Sequence, residues 1–341
     1  MEGAAVVSMK DIAQNCAVSV ATVSKVLNGQ QGIGEATRLR VLAAAKELGY
    51  TANSAARALK TNKTCNLGIV FADLQNSGFM HEYFASMLNY FRIESARLGY
   101  DISFLNSSVG HQDRSYLQHA LYRGVDGVAV VCADFQDPLL YELVSSGLPV
   151  VTLDHAYHNR TAVLSDNTDG MMQLVRYVYE KGHRRIAYIH GNHTAVTENR
   201  LTGFYKACEE LGITVPDAYV RECEYHEPRS CYRATKELLA LSERPSCIFF
   251  SDDYSYIGGA NAIAEAGLRV PEDISAVGYD GIHLARMFSP RLTTWEQNTK
   301  ELGTIAADRL IERIEHPRTA LPEHIVVKGR LLEGETVKQL N

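Results

Sequence analysis

The sequence predicts an α/β protein with an N-terminal three-helix helix-turn-helix head, a short amphipathic linker, and a body of two doubly wound parallel-sheet subdomains. Three observations predict it. Beyond residue 65, near-continuous apolar runs alternate with amphipathic stretches, the pattern of parallel strands covered by helices on both faces. These units are too numerous for one ordinary sheet, so two halves are expected. The first 60 residues lack such runs and read as short helices.

The chain has 341 residues, 46% of them apolar and 22% charged, enough to bury a sizeable core and unlike disordered, collagenous or coiled-coil chains. No run approaches the roughly 18 apolar residues of a membrane-spanning helix, and no basic-then-apolar signal pattern opens it, so a cytoplasmic location is expected. Seven scattered cysteines without a Cys-x-x-Cys argue against a disulfide framework or zinc ribbon. Net charge is −6, but residues 1–64 hold eight basic and four acidic side chains, +4, leaving −10 for the rest. A small polyanion-binding head on an acidic body shows that asymmetry.

Taken in order, Ser8 caps a first helix whose third residue is Asp11, with Ile12, Ala13 and Cys16 at helical spacing. Ser19 caps a second helix that buries Val23, Val26 and Leu27 and turns Ala21, Thr22, Ser24, Lys25 and Asn28 outward. A third, from about Glu35 to Leu48, is expected to bury Leu39, Leu42, Ala43 and either Ala45 or the stem of Lys46, and to stop at Gly49. Two short helices joined by a tight turn and braced by a third make a helix-turn-helix. Residues 53–60 form an amphipathic segment too short to be a stable helix alone.

In the body, strand-like runs include Leu67 to Phe71, Ile102 to Leu105, Val128 to Val131, Val150 to Leu153, Ile186 to Ile189, Ile248 to Phe250 and Ser275 to Gly278. Amphipathic stretches between them stop at Gly99, Gly147, Gly182, Gly212 and Gly267, the residue that most readily takes a left-handed helix end. Ligands of doubly wound sheets lie beyond the carboxyl ends of strands, where Asp73, Asp154, Asp252, Asp253 and Asp280 fall.

These residues carry a resemblance. MKDIAQNCAVSVATVSKVLNG and LRVLAAAKELGYTANSAARALK resemble the head of the lactose-repressor family of bacterial transcription regulators. The likeness continues in family order through NLGIVFADLQNSGF, RGVDGVAVV, GLPVVTLD, KGHRRIAYIHG, NRLTGFYKA, AGLRVPEDISAVGYD and LTTWEQ, nearly the whole chain. It implies a homodimeric, ligand-responsive repressor of carbohydrate-utilisation genes. Its partners would be double-stranded operator DNA and a sugar-like effector, with no cofactor and no membrane. The implied division is a DNA-binding head (1–52), a hinge helix and linker (53–64) and a periplasmic-binding-protein-like body (65–341). Within the body, about 65–164 and 295–323 form the N-subdomain, and about 165–294 and 324–341 the C-subdomain.

The resemblance also assigns roles. Val20, Ala21 and Lys25 hold base-reading positions, where Lys25 replaces the commoner Arg and so lacks its rigid fork. Ser19, Thr22, Ser24 and Asn28 are the phosphate candidates. Hinge residue Leu59 would wedge into the minor groove, flanked by Asn53 and Arg57. In the body, Arg200, Asp252 and Asp280 sit at effector-contacting positions, with Asn76, Phe79 and Asp154 from the other half and Tyr225 as the stacking aromatic.

Rival chemistries find less support. His155 with His158, and His190 with His193, have three-residue spacing but no third metal ligand at fixed spacing. No Gly-x-Ser-x-Gly elbow, Walker loop or Gly-x-Gly-x-x-Gly opens a helix. Carboxylates 154, 252 and 280 leave one enzyme alternative, a cytosolic carbohydrate-active enzyme, disfavoured by the attached head.

Overall fold

The computed structural model describes residues 7–27, 29–50, 63–72, 80–106, 108–109 and 112–340. The chain divides into two compact units, 1–64 and 65–341.

The first unit holds α1 (Met9–Asn15), α2 (Val20–Leu27) and α3 (Glu35–Glu47). The Asp11 carboxylate accepts from the Ser8 N–H and hydroxyl, both at 2.8 Å, and fixes the start of α1. Between α1 and α2, Ala17 adopts φ 50, a left-handed conformation that L side chains resist. The core is Ile12, Ala13, Cys16, Val23, Val26, Val41, Ala44 and Ala45. Ile12, Val23 and Val41 are fully buried, each stabilising the head by roughly 1.5–3 kcal/mol. The expected stripe of α3 needs correction. Leu39 is 60% and Leu42 44% exposed, and Ala43 also faces out. Ala45 is buried as expected, and the rest of the buried stripe is Val41, Ala44 and, in part, Leu48. The run LRVLAAA is apolar almost all round, so two helical phases compete, and packing against α1 and α2 selects the later one.

In the second unit two six-stranded sheets lie side by side in the chain. The N-terminal sheet runs β13-β7-β6-β5-β1-β2, all parallel. Its strands are β1 (Asn66–Phe71), β2 (Asp101–Leu105), β5 (Gly127–Cys132), β6 (Val150–Leu153), β7 (Thr161–Ser165) and β13 (His324–Val327). A short ribbon of β3 (Ser108–Val109) and β4 (Gln112–Asp113) stands apart. The C-terminal sheet runs β14-β12-β11-β10-β8-β9, parallel except for β14. It comprises β8 (Ile186–His190), β9 (Val220–Glu222), β10 (Cys247–Phe249), β11 (Ser275–Asp280), β12 (Thr293–Glu296) and β14 (Arg330–Leu332).

Helices cover both faces because alternate strand residues point to opposite sides. Leu67, Ile69, Ala129 and Val131 pack against α4 (Glu82–Arg97) and the long α12 (Thr299–Glu315). Val70, Val128 and Val130 meet α5 (Tyr116–Arg123) and α6 (Pro138–Ser145). The other sheet repeats the plan. Tyr188, Phe249 and Tyr279 face α7 (Asn167–Glu180) and α8 (Ala195–Glu210), while Ile189 and Phe250 face α9 (Pro228–Leu239) and α10 (Tyr256–Glu265). A short α11 (His283–Met287) follows β11.

The chain passes between the halves at Asp166, after β12 at Gln297, and between β13 and β14. This corrects the expected division. Residues 293–296 form β12 and belong wholly to the C-terminal half, because Trp295 packs in its core. Residues 324–327 belong to the N-terminal half, because β13 pairs with β7. Of the five expected helix-ending glycines, Gly99, Gly182, Gly212 and Gly267 take positive φ. Gly147 does not; α6 leaves its axis at the extended Ser146.

Candidate functional site

On the head, α2 presents the face expected to meet DNA. The Ser19 hydroxyl accepts from the Thr22 N–H (3.1 Å) and pairs with the Thr22 hydroxyl (2.9 Å), so the start of α2 is capped by the residues expected to grip phosphate. Val20 is 45% exposed, Ala21 and Lys25 are exposed, and Thr22 and Ser24 are half-buried. Apolar Val20 is therefore on the surface rather than in the core. Asn28, Asn53, Arg57 and Leu59 lie outside the described residues.

In the body, two of the strand-end carboxylates, Asp154 and Asp280, come near each other where the two halves meet. Asp154 follows β6 at φ 53, and Asp280 ends β11 at φ 100, both unusual for non-glycine residues and a mark of functional positions. Asp154 accepts from the Tyr83 hydroxyl at 2.7 Å and the Ser165 N–H at 2.8 Å. Burial, then the Asp154 charge, push the Tyr83 hydroxyl well above its ordinary value, and burial raises Asp154 as well. The phenol thus stays a donor to the carboxylate.

Opposite stands Arg200, 3% exposed. Its Nε donates to Asn167 Oδ1 (2.8 Å), Nη1 to the Ser251 carbonyl (2.8 Å) and Nη2 to Asp280 Oδ1 (3.4 Å). The guanidinium carbon lies 3.7 Å from the centre of the Tyr279 ring. Gln297 Nε2 donates to the same Asp280 oxygen at 2.6 Å. Glycine makes this possible: a Cβ at Gly203 would sit 2.3 Å from the Thr168 carbonyl oxygen, so only glycine lets α8 approach α7 closely enough for Arg200 to meet Asn167. Tyr225 is half-buried, its hydroxyl 2.9 Å from that of Thr197.

Tyr83, Ser86, Asp280 and Gln297 line a cavity of about 200 Å³. At its mouth the His283 N–H, on the C-terminal half, donates to the Glu82 carboxylate at 2.7 Å.

Asp252 behaves differently from its neighbours. It is fully buried, and its oxygens accept from Ser255 N–H (2.7 Å), Ser255 hydroxyl (2.7 Å), Ser251 hydroxyl (3.0 Å) and His226 N–H (3.2 Å). Burial alone would raise it, but the adjacent His226 and the Ser255 N–H hold it well below the usual carboxylate range. Three of these donors are on its own loop and the fourth is on His226. Asp253 is likewise tied inward, to the Ile282 N–H (2.9 Å) and the Thr294 hydroxyl (2.5 Å), and burial pushes it up. Asp73, Asn76 and Phe79 fall outside the described residues.

Sequence reasoning missed Tyr83, Asn167, Gln297, His81 and His226. Gln297 stood in the quoted motif LTTWEQ; the others carried no local signal. His190 bonds the Gly191 carbonyl, and His193 lies 3.1 Å from Glu198. The His155 ring stacks on Phe135 at 4.3 Å.

Comparison with known proteins adds to this geometry. The family described as bacterial regulatory proteins, lacI family, matches residues 8–53, and a periplasmic binding protein-like domain matches residues 175–337. The HTH-type transcriptional repressor PurR of Escherichia coli is 36% identical over 336 residues, spanning 97% of this chain and 96% of that protein. Among solved structures, the transcriptional regulator CelR in complex with cellobiose is 26% identical, with a TM-score of 0.71 over 97% of this chain and 99% of that one. The Lac repressor bound to ONPG in its repressed state is 25% identical, with a TM-score of 0.82 over 97% and 99%. These relatives are transcriptional regulators, which sets aside the carbohydrate-active enzyme alternative.

Proposed function

The chain belongs to the lacI family of bacterial regulatory proteins, and on that premise we propose that it is a homodimeric repressor of carbohydrate-utilisation genes controlled by a small sugar-like effector. It is a ligand-responsive, DNA-binding transcriptional repressor, not an enzyme. Among the described residues, no helix is long and apolar enough to cross a membrane; we assign it to the cytoplasm, where its DNA lies.

One observation carries the effector reading. The Arg200–Asp280–Gln297 cluster of the C-terminal half, with the Arg200 guanidinium 5.9 Å from the Tyr225 ring, and the Tyr83–Asp154 pair of the N-terminal half offer charged donors and acceptors. Paired hydroxyls of a sugar suit such groups, and its C–H face suits an aromatic ring. An effector that exchanges hydrogen bonds with both clusters binds one arrangement of the halves more tightly than another. Only such differential affinity shifts a conformational equilibrium. Coupling of about 1–3 kcal/mol changes operator affinity roughly 5- to 150-fold.

In the head, Val20, Ala21 and Lys25 read bases from the major groove while Ser19, Thr22, Ser24 and Asn28 hold phosphates. Leu59, with Asn53 and Arg57, engages the minor groove. Twofold symmetry of the dimer requires a near-palindromic operator.

A thermal-shift screen of monosaccharides, disaccharides and their phosphates tests the effector reading. A true effector at about 100 times its Kd stabilises by roughly 2.7 kcal/mol, about 5–10 °C for a body of this size. The shift should vanish in Tyr225→Ala. A sugar response that persists in that variant, or none from any sugar, overturns the reading.

A further inference from the structure

We propose that His81, His226 and Asp252 form a binding site for a first-row divalent transition metal, zinc above all, that clamps the two halves of the body together. The inference goes beyond the effector reading and needs neither DNA nor sugar. One ligand atom from each of the three residues lies within 4.8 Å of the other two. The imidazole rings of His81 and His226 stand 3.7 Å apart, and His226 Nδ1 is 3.6 Å from Asp252 Oδ1.

The donor set fits the ion. Two imidazoles and a carboxylate are borderline ligands that favour zinc, cobalt, nickel or copper over magnesium or calcium. With metal–ligand bonds of about 2.0–2.1 Å, tetrahedral donors sit roughly 3.4 Å apart, so shifts of about an ångström close the observed triangle. Three protein ligands leave a fourth position for water.

The surroundings fit too. Asp252 is fully buried and His81 is 3% exposed. Both His226 and His81 face this carboxylate, and with the imidazoles neutral, as metal ligation requires, a divalent ion would neutralise it. The Ser255 N–H and the Ser251 and Ser255 hydroxyls fix the Asp252 oxygens, the kind of outer contact that orients a ligating carboxylate. Phe84 closes over both histidines, its ring 5.6 Å from His81 and 5.9 Å from His226.

Placement gives the site its consequence. His81 precedes α4 in the N-terminal half, whereas His226 and Asp252 follow β9 and β10 in the C-terminal half. A metal bound by all three resists separation of the halves and so acts on the same motion as an effector.

The test uses the full-length, tag-free protein after chelator treatment and dialysis. Titration with cobalt(II) should give one equivalent per chain with a visible ligand-field band, displaced by zinc, and saturating zinc should raise Tm by about 5–10 °C. His81→Gln and His226→Gln should each weaken cobalt binding at least tenfold. His81→Cys should keep binding and add a thiolate-to-cobalt charge-transfer band, which covers the case in which a glutamine variant does not fold. Absence of the band, or a band indifferent to both glutamine variants, overturns the proposal.

Discussion

Arg200 donates three hydrogen bonds between the strand ends, and Arg200→Met tests whether its network holds the C-terminal half together. Both Arg200 and Asp280 side chains are 4% exposed. Methionine keeps much of the volume but removes every donor. Among the described residues, Asp280 then retains only the Gln297 amide as a side-chain donor, and Asn167 Oδ1 and the Ser251 carbonyl lose their Arg200 partner. Removing one member of a buried ion pair costs about 3–5 kcal/mol, because a charge is left uncompensated. For a body of this length that is a fall in Tm of roughly 10 °C. The double variant Arg200→Met/Asp280→Asn removes the stranded charge, so it should recover about 2 kcal/mol or more, a coupling typical of contacting residues. Urea unfolding followed by fluorescence reads this directly, since Trp295 is the only tryptophan and packs in the C-terminal core. A single-variant loss under about 1 kcal/mol, or losses that simply add in the double variant, would refute the reasoning.

Three further outcomes are expected. His183 is buried between the Ser246 hydroxyl (2.8 Å) and the Lys338 carbonyl (3.0 Å), and burial pulls its pKa below the ordinary 6.5. The unfolded chain therefore takes up the proton first. Stability is fully present above about pH 6.5 and lost as pH falls from there toward the lowered folded-state value, and His183→Asn should flatten this slope in Tm between pH 8 and 5. Ala17→Gly should stabilise the head by about 1 kcal/mol, because glycine accepts the φ of 50 at the α1–α2 turn; slower amide exchange in α1 and α2 would show it, and faster exchange would count against it. Lys25→Ala should relax preference at one base pair per half-site, and Leu59→Ala should weaken specific more than non-specific binding. Uniform losses across sequences in gel-shift competition would contradict both.

Legibility from sequence followed the range of the physics. Strands β1, β2, β5, β6, β8, β10 and β11 were readable because burial inside the sheets leaves largely apolar runs, and the start of α1 because Ser8 and Asp11 sit one helical turn apart. Asp154 and Asp280 were readable as strand-end carboxylates. By contrast β7, β9, β12, β13 and β14 escaped notice: they are short, at or near sheet edges, and mixed in polarity. The phase of α3 was misjudged because an all-round apolar run does not say which side faces in.

The sequence by itself determined two units of different class, the alternation that builds parallel sheets, the capped α2 with its polar outer face, and membership of a regulator family. Tertiary structure alone decided which half owns β12 and β13, that Tyr83 reaches Asp154, that Gln297 joins Arg200 at Asp280, and that His81 meets His226. Periodicity and capping are set by neighbours within a turn or a strand. The Tyr83–Asp154 contact, between residues 71 positions apart, exists only once the chain has wound through the intervening strands of one sheet, and the His81–His226 contact only once it has crossed to the other; no local pattern encodes where such windings bring side chains together.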